Sequence, residues 1–396
     1  MKKSVLLIIA LFMASLNLRP AINSIAPLLE SIRTDLGMSA AVASLLTAIP
    51  VLCMGLFSPI AVKAGGKWGI ERVIGLSLLI IGVGTVIRLF TDSVSFLVTT
   101  AIIAGIGIAL IGPLLSGFIK EHFPNQVPFM VSVYTVALTL GAAISSALST
   151  SLENSFNSWQ TSLAFWAIIA FVAAVIWWLF VNQQVKKSAH TATSGTKVQL
   201  PWGNGKAWIL TLSFGLMGML FYSITAWLPQ IIQGMGYTKD YAAIALTIFV
   251  VVQIPVSLVL PILLRRFHSR RFWLIVESII ELVGFILLVL NIEPLLASAL
   301  IGIGAGGLFP LNLLLPIDAT DNAHEAASWS AMIQSAGYVI GALGPIILGW
   351  IYDATNSFTS AVVGMIVIVL IMMIFQFAAT AKRSVNTLHI QGESTR

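Results

Sequence analysis

Ser4 to Leu29 reads SVLLIIALFMASLNLRPAINSIAPLL, an apolar run long enough to cross a bilayer and carrying one charge, Arg19. A guanidinium at mid-membrane costs about 2.5 to 3.5 kcal/mol on insertion scales and cannot shed its proton. The next residue, Pro20, lacks a backbone N–H and disfavours helix at Arg19, so Asn17-Leu18-Arg19-Pro20 reads as a weakened helix bearing a fixed positive charge. That is a way to build an anion site halfway through a membrane. The structural alternative is a guanidinium neutralised by carbonyls freed at Pro20 or by a buried carboxylate.

Composition extends this reading to the whole chain. Of 396 residues, 58% are hydrophobic and only 9% are charged. A soluble globule carries about 25% charge, so the chain is expected to be a polytopic membrane protein in contact with a lipid bilayer. The net charge is +6, but the basic residues lie between apolar runs and form no nucleic-acid patch. Cys53 is the single cysteine; it excludes an intrachain disulfide, offers no metal cluster and is expected to serve packing. Met1-Lys2-Lys3 before an apolar segment resembles a signal peptide. The run exceeds the usual h-region of about 7 to 15 residues and lacks a small-x-small cleavage site, so it reads as a retained first span.

Twelve spans are expected, near 4–29, 40–62, 73–91, 94–119, 128–152, 160–181, 206–231, 240–264, 271–291, 294–316, 326–351 and 358–380. The fold class is therefore all-α integral membrane. Residues 1–181 form one six-helix bundle and 206–381 another, joined by a polar, basic linker at 182–205 and followed by a tail at 382–396. Lys2, Lys3, Lys63, Lys67, Arg72, Lys120, Lys186, Lys187, Lys197, Lys206, Arg265, Arg266, Arg270, Arg271, Lys382, Arg383 and Arg396 all fall on one side. The other side has Arg33, Lys239 and, at a span end, Arg88. The positive-inside rule thus places both termini and the linker in the cytoplasm. The 110 residues between Arg271 and Lys382 contain no Lys or Arg, so the loop with Asp318, Asp321, His324 and Glu325 is placed only by its neighbours.

The halves repeat weakly. Gly105, Gly107 and Pro113 recur as Gly302, Gly304 and Pro310 at an offset of 197, while Pro27 pairs with Pro229 and Pro59 with Pro261 at 202. Parallel six-helix repeats of this kind bind substrate near the midplane, between halves that rock against each other.

Several motifs resemble the major facilitator superfamily, and within it the cyanate and 2-nitroimidazole transporter group. They are Asn17-Leu18-Arg19-Pro20, Leu46-Thr47-Ala48-Ile49-Pro50, Ser58-Pro59, Gly69-Ile70-Glu71-Arg72, Thr225-Ala226-Trp227-Leu228-Pro229, and Gly337-Tyr338 through Gly344-Pro345. The resemblance covers nearly the whole chain. It implies a secondary transporter of small anions or small nitrogen-rich compounds in the cytoplasmic membrane, without enzymatic activity and without a cofactor. Import and export both occur in the group. The usual acid of the loop between spans two and three is replaced by Gly66, so a gate there must work differently, through Glu71 and Arg72.

The expected substrate residues start from Arg19, because the first six spans as drawn hold no Asp or Glu to pair with it. Asn23, four residues on, shares its face, whereas Asn17 does not. At the 202 offset Phe221 and Tyr222 stand opposite Arg19, so one half offers charge and the other an aromatic surface suited to a planar anion or an electron-poor ring. Tyr134, Trp227, Gln253, Asn312 and Gln334 are further candidates to line the cavity. Each could equally be interhelical packing, and Trp227 an interfacial belt residue. Glu277 and Glu281 share one face of the ninth span and are candidates for proton coupling; the competing reading pairs Glu277 with Arg270 and Arg271.

His122, His268 and His324 fall in loops and His190 and His389 in polar tails, and no metal ligation is expected. The glycine repeats of spans four and ten have neither a strand before them nor a Lys-Ser or Lys-Thr after them, so they read as helix packing and ATP drive is not expected. The expected partners are a small, anionic substrate and a coupling proton or counter-anion, and a monomer suffices. A lipophilic-drug exporter independent of Arg19 is the alternative within transport. A non-transporting receptor would need an attached domain that the linker and tail do not supply.

Overall fold

The computed structural model describes residues 2–38, 40–182 and 200–380. Most of the expected linker and the whole expected tail, with Lys186, Lys187, His190, Lys197, Lys382, Arg383, His389 and Arg396, lie outside them. Twelve helices among the described residues are long and apolar enough to cross a membrane: Ser4–Leu28, Ile49–Trp68, Ile70–Phe90, Val94–His122, Val127–Phe156, Trp159–Val181, Gly205–Gly234, Tyr241–Arg266, Arg270–Val289, Pro294–Asp318, Ala323–Tyr352 and Phe358–Ala379. They are called the first to twelfth spans. The protein is a multi-pass membrane protein with two six-helix halves; the face on which the first span starts and the twelfth ends is called the terminal face.

The first span is broken where Pro20 predicts it. Helix Lys2–Leu16 stops, Arg19 takes φ −115° and ψ −35°, and a short helix Pro20–Asn23 follows. Asn17 Nδ2 donates to the Met13 carbonyl at 2.7 Å and reaches the Ile169 carbonyl of the sixth span at 3.4 Å. Asn17 is thus consumed in capping the break. The fifth span crosses here: a Cβ on Gly141 would collide with the Leu16 carbonyl and lie 3.4 Å from Pro20 Cδ, so only glycine lets the two backbones meet. The eighth span also breaks, into Lys239–Val251 and Gln253–Arg266, where Pro255 leaves the Val251 carbonyl without its i+4 donor.

The sequence repeat has a packing counterpart. Gly105 of the fourth span faces Cys53 and Pro50 of the second, and Gly107 faces Ser77 and Ile81 of the third. In the other half, Gly302 of the tenth span faces Phe249 and Val252 of the eighth, and Gly304 faces Glu277 and Glu281 of the ninth. Fourth and tenth spans therefore sit on equivalent neighbours through equivalent glycines. Cys53 is buried in this contact, in keeping with a packing role.

Contacts between the halves crowd toward the terminal face. The fifth span rests mainly on Gln253–Arg266, the part of the eighth nearest that face, rather than on Lys239–Val251. Lys120 Nζ donates across the seam to the Ile317 carbonyl at 2.9 Å. Arg270 Nε pairs with Asp318 Oδ2 at 2.9 Å, which fixes the turn between the tenth and eleventh spans on the same face as Arg270.

Three sequence readings need correction. Arg88, counted as a charge at the span end, is completely buried instead, and its Nη1 donates to the Ala21 carbonyl in the broken first span at 2.9 Å. Its long side chain folds inward because the break exposes a carbonyl that a helix would have used. Glu71 lies inside the third-span helix and is buried rather than looped out. His122 ends the fourth-span helix and His324 lies in the first turn of the eleventh, so neither is in a loop, and His122 Nε2 lies 3.1 Å from Glu71 Oε1.

Candidate functional site

Arg19 is half-buried at the break of the first span, and its guanidinium has no hydrogen bond or ion pair within the described residues. Tyr134 of the fifth span and Tyr338 of the eleventh lie within its electrostatic reach, and Tyr338 also feels Tyr134 and Tyr222. Both Tyr134 and Tyr338 are buried, at 3% and 5% exposure. Two spans, one from each half, therefore bring phenols near this one cation.

Gln334 completes this group. A Cβ on Gly112 of the fourth span would stand 2.7 Å from Gln334 Oε1 and 3.9 Å from the Tyr134 hydroxyl, so the amide and the phenol flank one bare backbone patch. Gln334 Nε2 is buried without a hydrogen-bond partner. A buried amide donor left unmatched costs free energy, and such groups mark places where a ligand or water is held. Gln334 and Tyr338 are four residues apart and so share a helix face.

Around the tyrosines lies an aromatic wall. Phe214 meets Tyr338 edge-on at 5.4 Å and Phe309 at 6.3 Å, while Phe221 meets Tyr222 at 5.5 Å and Phe249 at 5.8 Å. Tyr222 also packs against Gly341, whose Cβ would lie 3.4 Å from its ring. Cation on one side and rings on the other give a surface that can hydrogen-bond an anion in its plane and stack on its face. Asn23 keeps a buried Oδ1 without a partner, and its carbonyl accepts from Ser146 Oγ at 3.1 Å.

The remaining expected residues are engaged elsewhere. Asn312 Oδ1 accepts from Ser213 Oγ at 2.7 Å, which ties the tenth span to the seventh, and its Nδ2 donates within its own helix to the Leu308 carbonyl at 2.9 Å, so both ends of the amide are engaged. Gln253 Nε2 donates to the Phe249 carbonyl at 3.0 Å, with its backbone against Gly306. Trp227 Nε1 donates to the Pro345 carbonyl at 3.0 Å, and its ring joins Tyr352 and Phe358 in a cluster toward the face opposite the termini. Glu277 and Glu281 are buried at 4% and 2% exposure against the tenth span, each with an Oε2 lacking a hydrogen bond. Neither pairs with Arg270 or Arg271: Arg270 is taken by Asp318, and Arg271 bonds Thr380 Oγ1 at 3.1 Å and lies over the Phe377 ring. Beside Glu281, Ser278 Oγ donates to Gln376 Oε1 at 2.8 Å.

Tyr338 was not singled out as a ligand from sequence. Its signal was present in its four-residue spacing from Gln334.

Residues 5–342 match the Major Facilitator Superfamily family model. The chain is 33% identical over 374 residues to an uncharacterized transporter of Bacillus subtilis (strain 168), covering 92% of this chain and 91% of the relative. It is 31% identical to the cyanate transport protein CynX of Escherichia coli (strain K12), over 89% of this chain and 91% of that one. The 2-nitroimidazole transporter of the same organism is 29% identical over 97% of this chain and 98% of its own length. Among solved structures, the proton:xylose symporter XylE superposes with a TM-score of 0.77 over 96% of each chain at 14% identity, which shows the fold. The chain belongs to the Major Facilitator Superfamily, in the group that contains the cyanate and 2-nitroimidazole transporters.

Proposed function

We propose that the protein is a secondary active transporter that works by alternating access and moves a small anion or a small nitrogen-rich compound across the cytoplasmic membrane, with both termini in the cytoplasm. The observation that carries this reading is the Arg19 guanidinium at a helix break, without a hydrogen bond or ion pair among the described residues, with Tyr134 and Tyr338 in its electrostatic reach and Gln334 beside Tyr134. An incoming anion is its natural counter-charge. The guanidinium supplies in-plane hydrogen bonds, the phenols add donors, and the wall of Phe214, Tyr222 and Tyr338 takes the face of a flat substrate. The relatives named for cyanate and 2-nitroimidazole, one a small linear anion and one an electron-poor ring, fall within what such a surface accepts.

Glu277 and Glu281 are the proposed proton carriers. They lie away from Arg19 on the far side of the tenth span, so protonation there would act through that helix rather than by touching substrate. Exchange against a counter-anion would dispense with them. A single chain holds the whole site.

The test is thermal stabilisation of detergent-purified protein and its Arg19→Ala variant by cyanate, nitrate, nitrite, small carboxylates and 2-nitroimidazole. One compound is expected to stabilise the wild type in a concentration-dependent way and to lose the effect in the variant. Each charge-assisted hydrogen bond lost should weaken binding by at least about tenfold. Equal stabilisation of both proteins would transfer the site to the aromatic wall and favour a lipophilic substrate.

A further inference from the structure

The terminal face holds a second polar assembly that substrate binding does not use. The fourth span ends in Lys120, Glu121 and His122, against Glu71 of the third span and the start of the eleventh. One ligand atom from each of Glu71, Glu121 and His122 lies within 4.8 Å of the others. The Glu71–His122 contact is already 3.1 Å. From the other half, His324 stands within electrostatic reach of both carboxylates.

These are not loose surface acids. Trp177, fully buried, donates its Nε1–H to the Glu71 carbonyl at 2.8 Å, and the buried Phe118 ring lies 4.5 Å from the His122 ring and 5.0 Å from Trp177. Glu71 and His122 are therefore braced from behind, while the exposed Glu121 is free to swing. Two carboxylates this close repel, and the C-terminal end of the fourth-span helix adds negative potential. Lys120, the neighbouring cation, is turned away to the Ile317 carbonyl. The assembly calls for a cation between its members.

We propose that Glu71, Glu121 and His122, joined by His324 from the other half, bind a transition-metal ion of the zinc type, and that the site is complete only while the terminal face is closed. Imidazole nitrogen with carboxylate oxygen is a donor set suited to Zn²⁺. Bonds of about 2.0 Å in a tetrahedron put ligand atoms about 3.3 Å apart. The Glu71–His122 pair already has that separation, and a turn of Glu121 supplies the third ligand. Gly117 and Lys120 mark the seam beside it, since a Cβ on Gly117 would lie 2.8 Å from the Ala323 carbonyl. A metal held by ligands from both halves opposes their separation and keeps the transporter open on the face opposite the termini. This consequence rests on the alternating-access reading above; the metal site itself does not.

The experiment is calorimetric titration of ZnCl₂ into purified full-length protein without substrate, for the wild type, Glu121→Gln, Glu71→Gln, His122→Ala and His324→Ala. Wild type is expected to bind one equivalent saturably. Each variant should lose at least about tenfold in affinity, the loss that even outer-shell changes bring. Glu121→Gln, at an exposed position, keeps the test informative if a buried variant fails to fold. Equal affinity in wild type, Glu121→Gln and His122→Ala would overturn the site. Loss in His122→Ala but not in His324→Ala would confine the metal to one half and overturn the lock. Binding is read without any transported compound, so a failure of the Arg19 reading leaves this result standing, and the reverse also holds.

Discussion

Gly107 and Gly304 occupy equivalent places in the two halves, yet they face different chemistry. Gly107 packs the fourth span onto Ser77 and Ile81 of the third, whereas Gly304 packs the tenth onto Glu277 and Glu281 of the ninth. The helix contact is the same, a backbone carbonyl, a backbone N–H and an aliphatic side-chain carbon in each half, but the side chains behind it are Ser77 and Ile81 in one half and the buried acids Glu277 and Glu281 in the other. Packing therefore does not require the acids. The halves also differ at the 202 offset, where Arg19 in the first span answers to Phe221 in the seventh. The halves are complementary: one carries the Arg19 cation and the Tyr134 phenol, and the other the Tyr338 phenol, an aromatic wall and a carboxyl pair set apart from that wall.

The strongest way to break this comparison is to fill both glycines. Gly107→Leu meets Ile81 Cγ1 at 2.7 Å and the Ser77 carbonyl at 2.8 Å, and Gly304→Leu meets Glu281 Cβ at 2.5 Å. Both should lower the thermal unfolding midpoint, each losing about 1 to 3 kcal/mol or more from overpacking. If only one variant is destabilised, the two contacts are not equivalent.

Replacing the acids sharpens the difference. Glu281→Gln keeps shape and packing, so the protein should remain folded while substrate-driven proton movement in proteoliposomes falls to background. Unchanged proton movement in both Glu281→Gln and Glu277→Gln would remove coupling from this pair and favour counter-anion exchange.

A smaller effect is expected at the tyrosines. Tyr338→Phe removes one hydroxyl near Arg19 and leaves the ring against Phe214, so the stabilising compound should bind about threefold to tenfold more weakly, the worth of one hydrogen bond. The smallest change is expected for Ser213→Ala, which frees Asn312 Oδ1. It should cost about 1 kcal/mol of stability and leave ligand affinity unchanged. A loss of affinity there would put Asn312 in the binding surface.

The break of the first span was legible because Pro20 states it in covalent terms, and the spans were legible because twelve long apolar runs have one solution in a bilayer. Their ends were less so. The second-span helix runs on to Trp68 through Lys63 and Lys67, since a helix does not stop where the membrane does. Polar residues within spans were the hardest to assign. Asn312 and Gln253 each bond the carbonyl four residues back, a local solution open to any such side chain. Sequence cannot tell it from an outlook onto a cavity. Arg88 misleads for a related reason, because its destination at Ala21 depends on a break sixty-odd residues away. Glu71 and His122 are likewise joined only by the fold.

The central claim is that Arg19 is the counter-charge of the transported compound. Its most direct test is transport of the compound that stabilises the wild type, measured as exchange of labelled against unlabelled compound in proteoliposomes carrying wild type, Arg19→Lys or Arg19→Ala. Exchange needs no proton gradient, so coupling residues do not confound it. The account predicts exchange in the wild type, a reduced rate in Arg19→Lys, which keeps the charge but not the planar fork, and none in folded Arg19→Ala. Wild-type exchange by Arg19→Ala would contradict it.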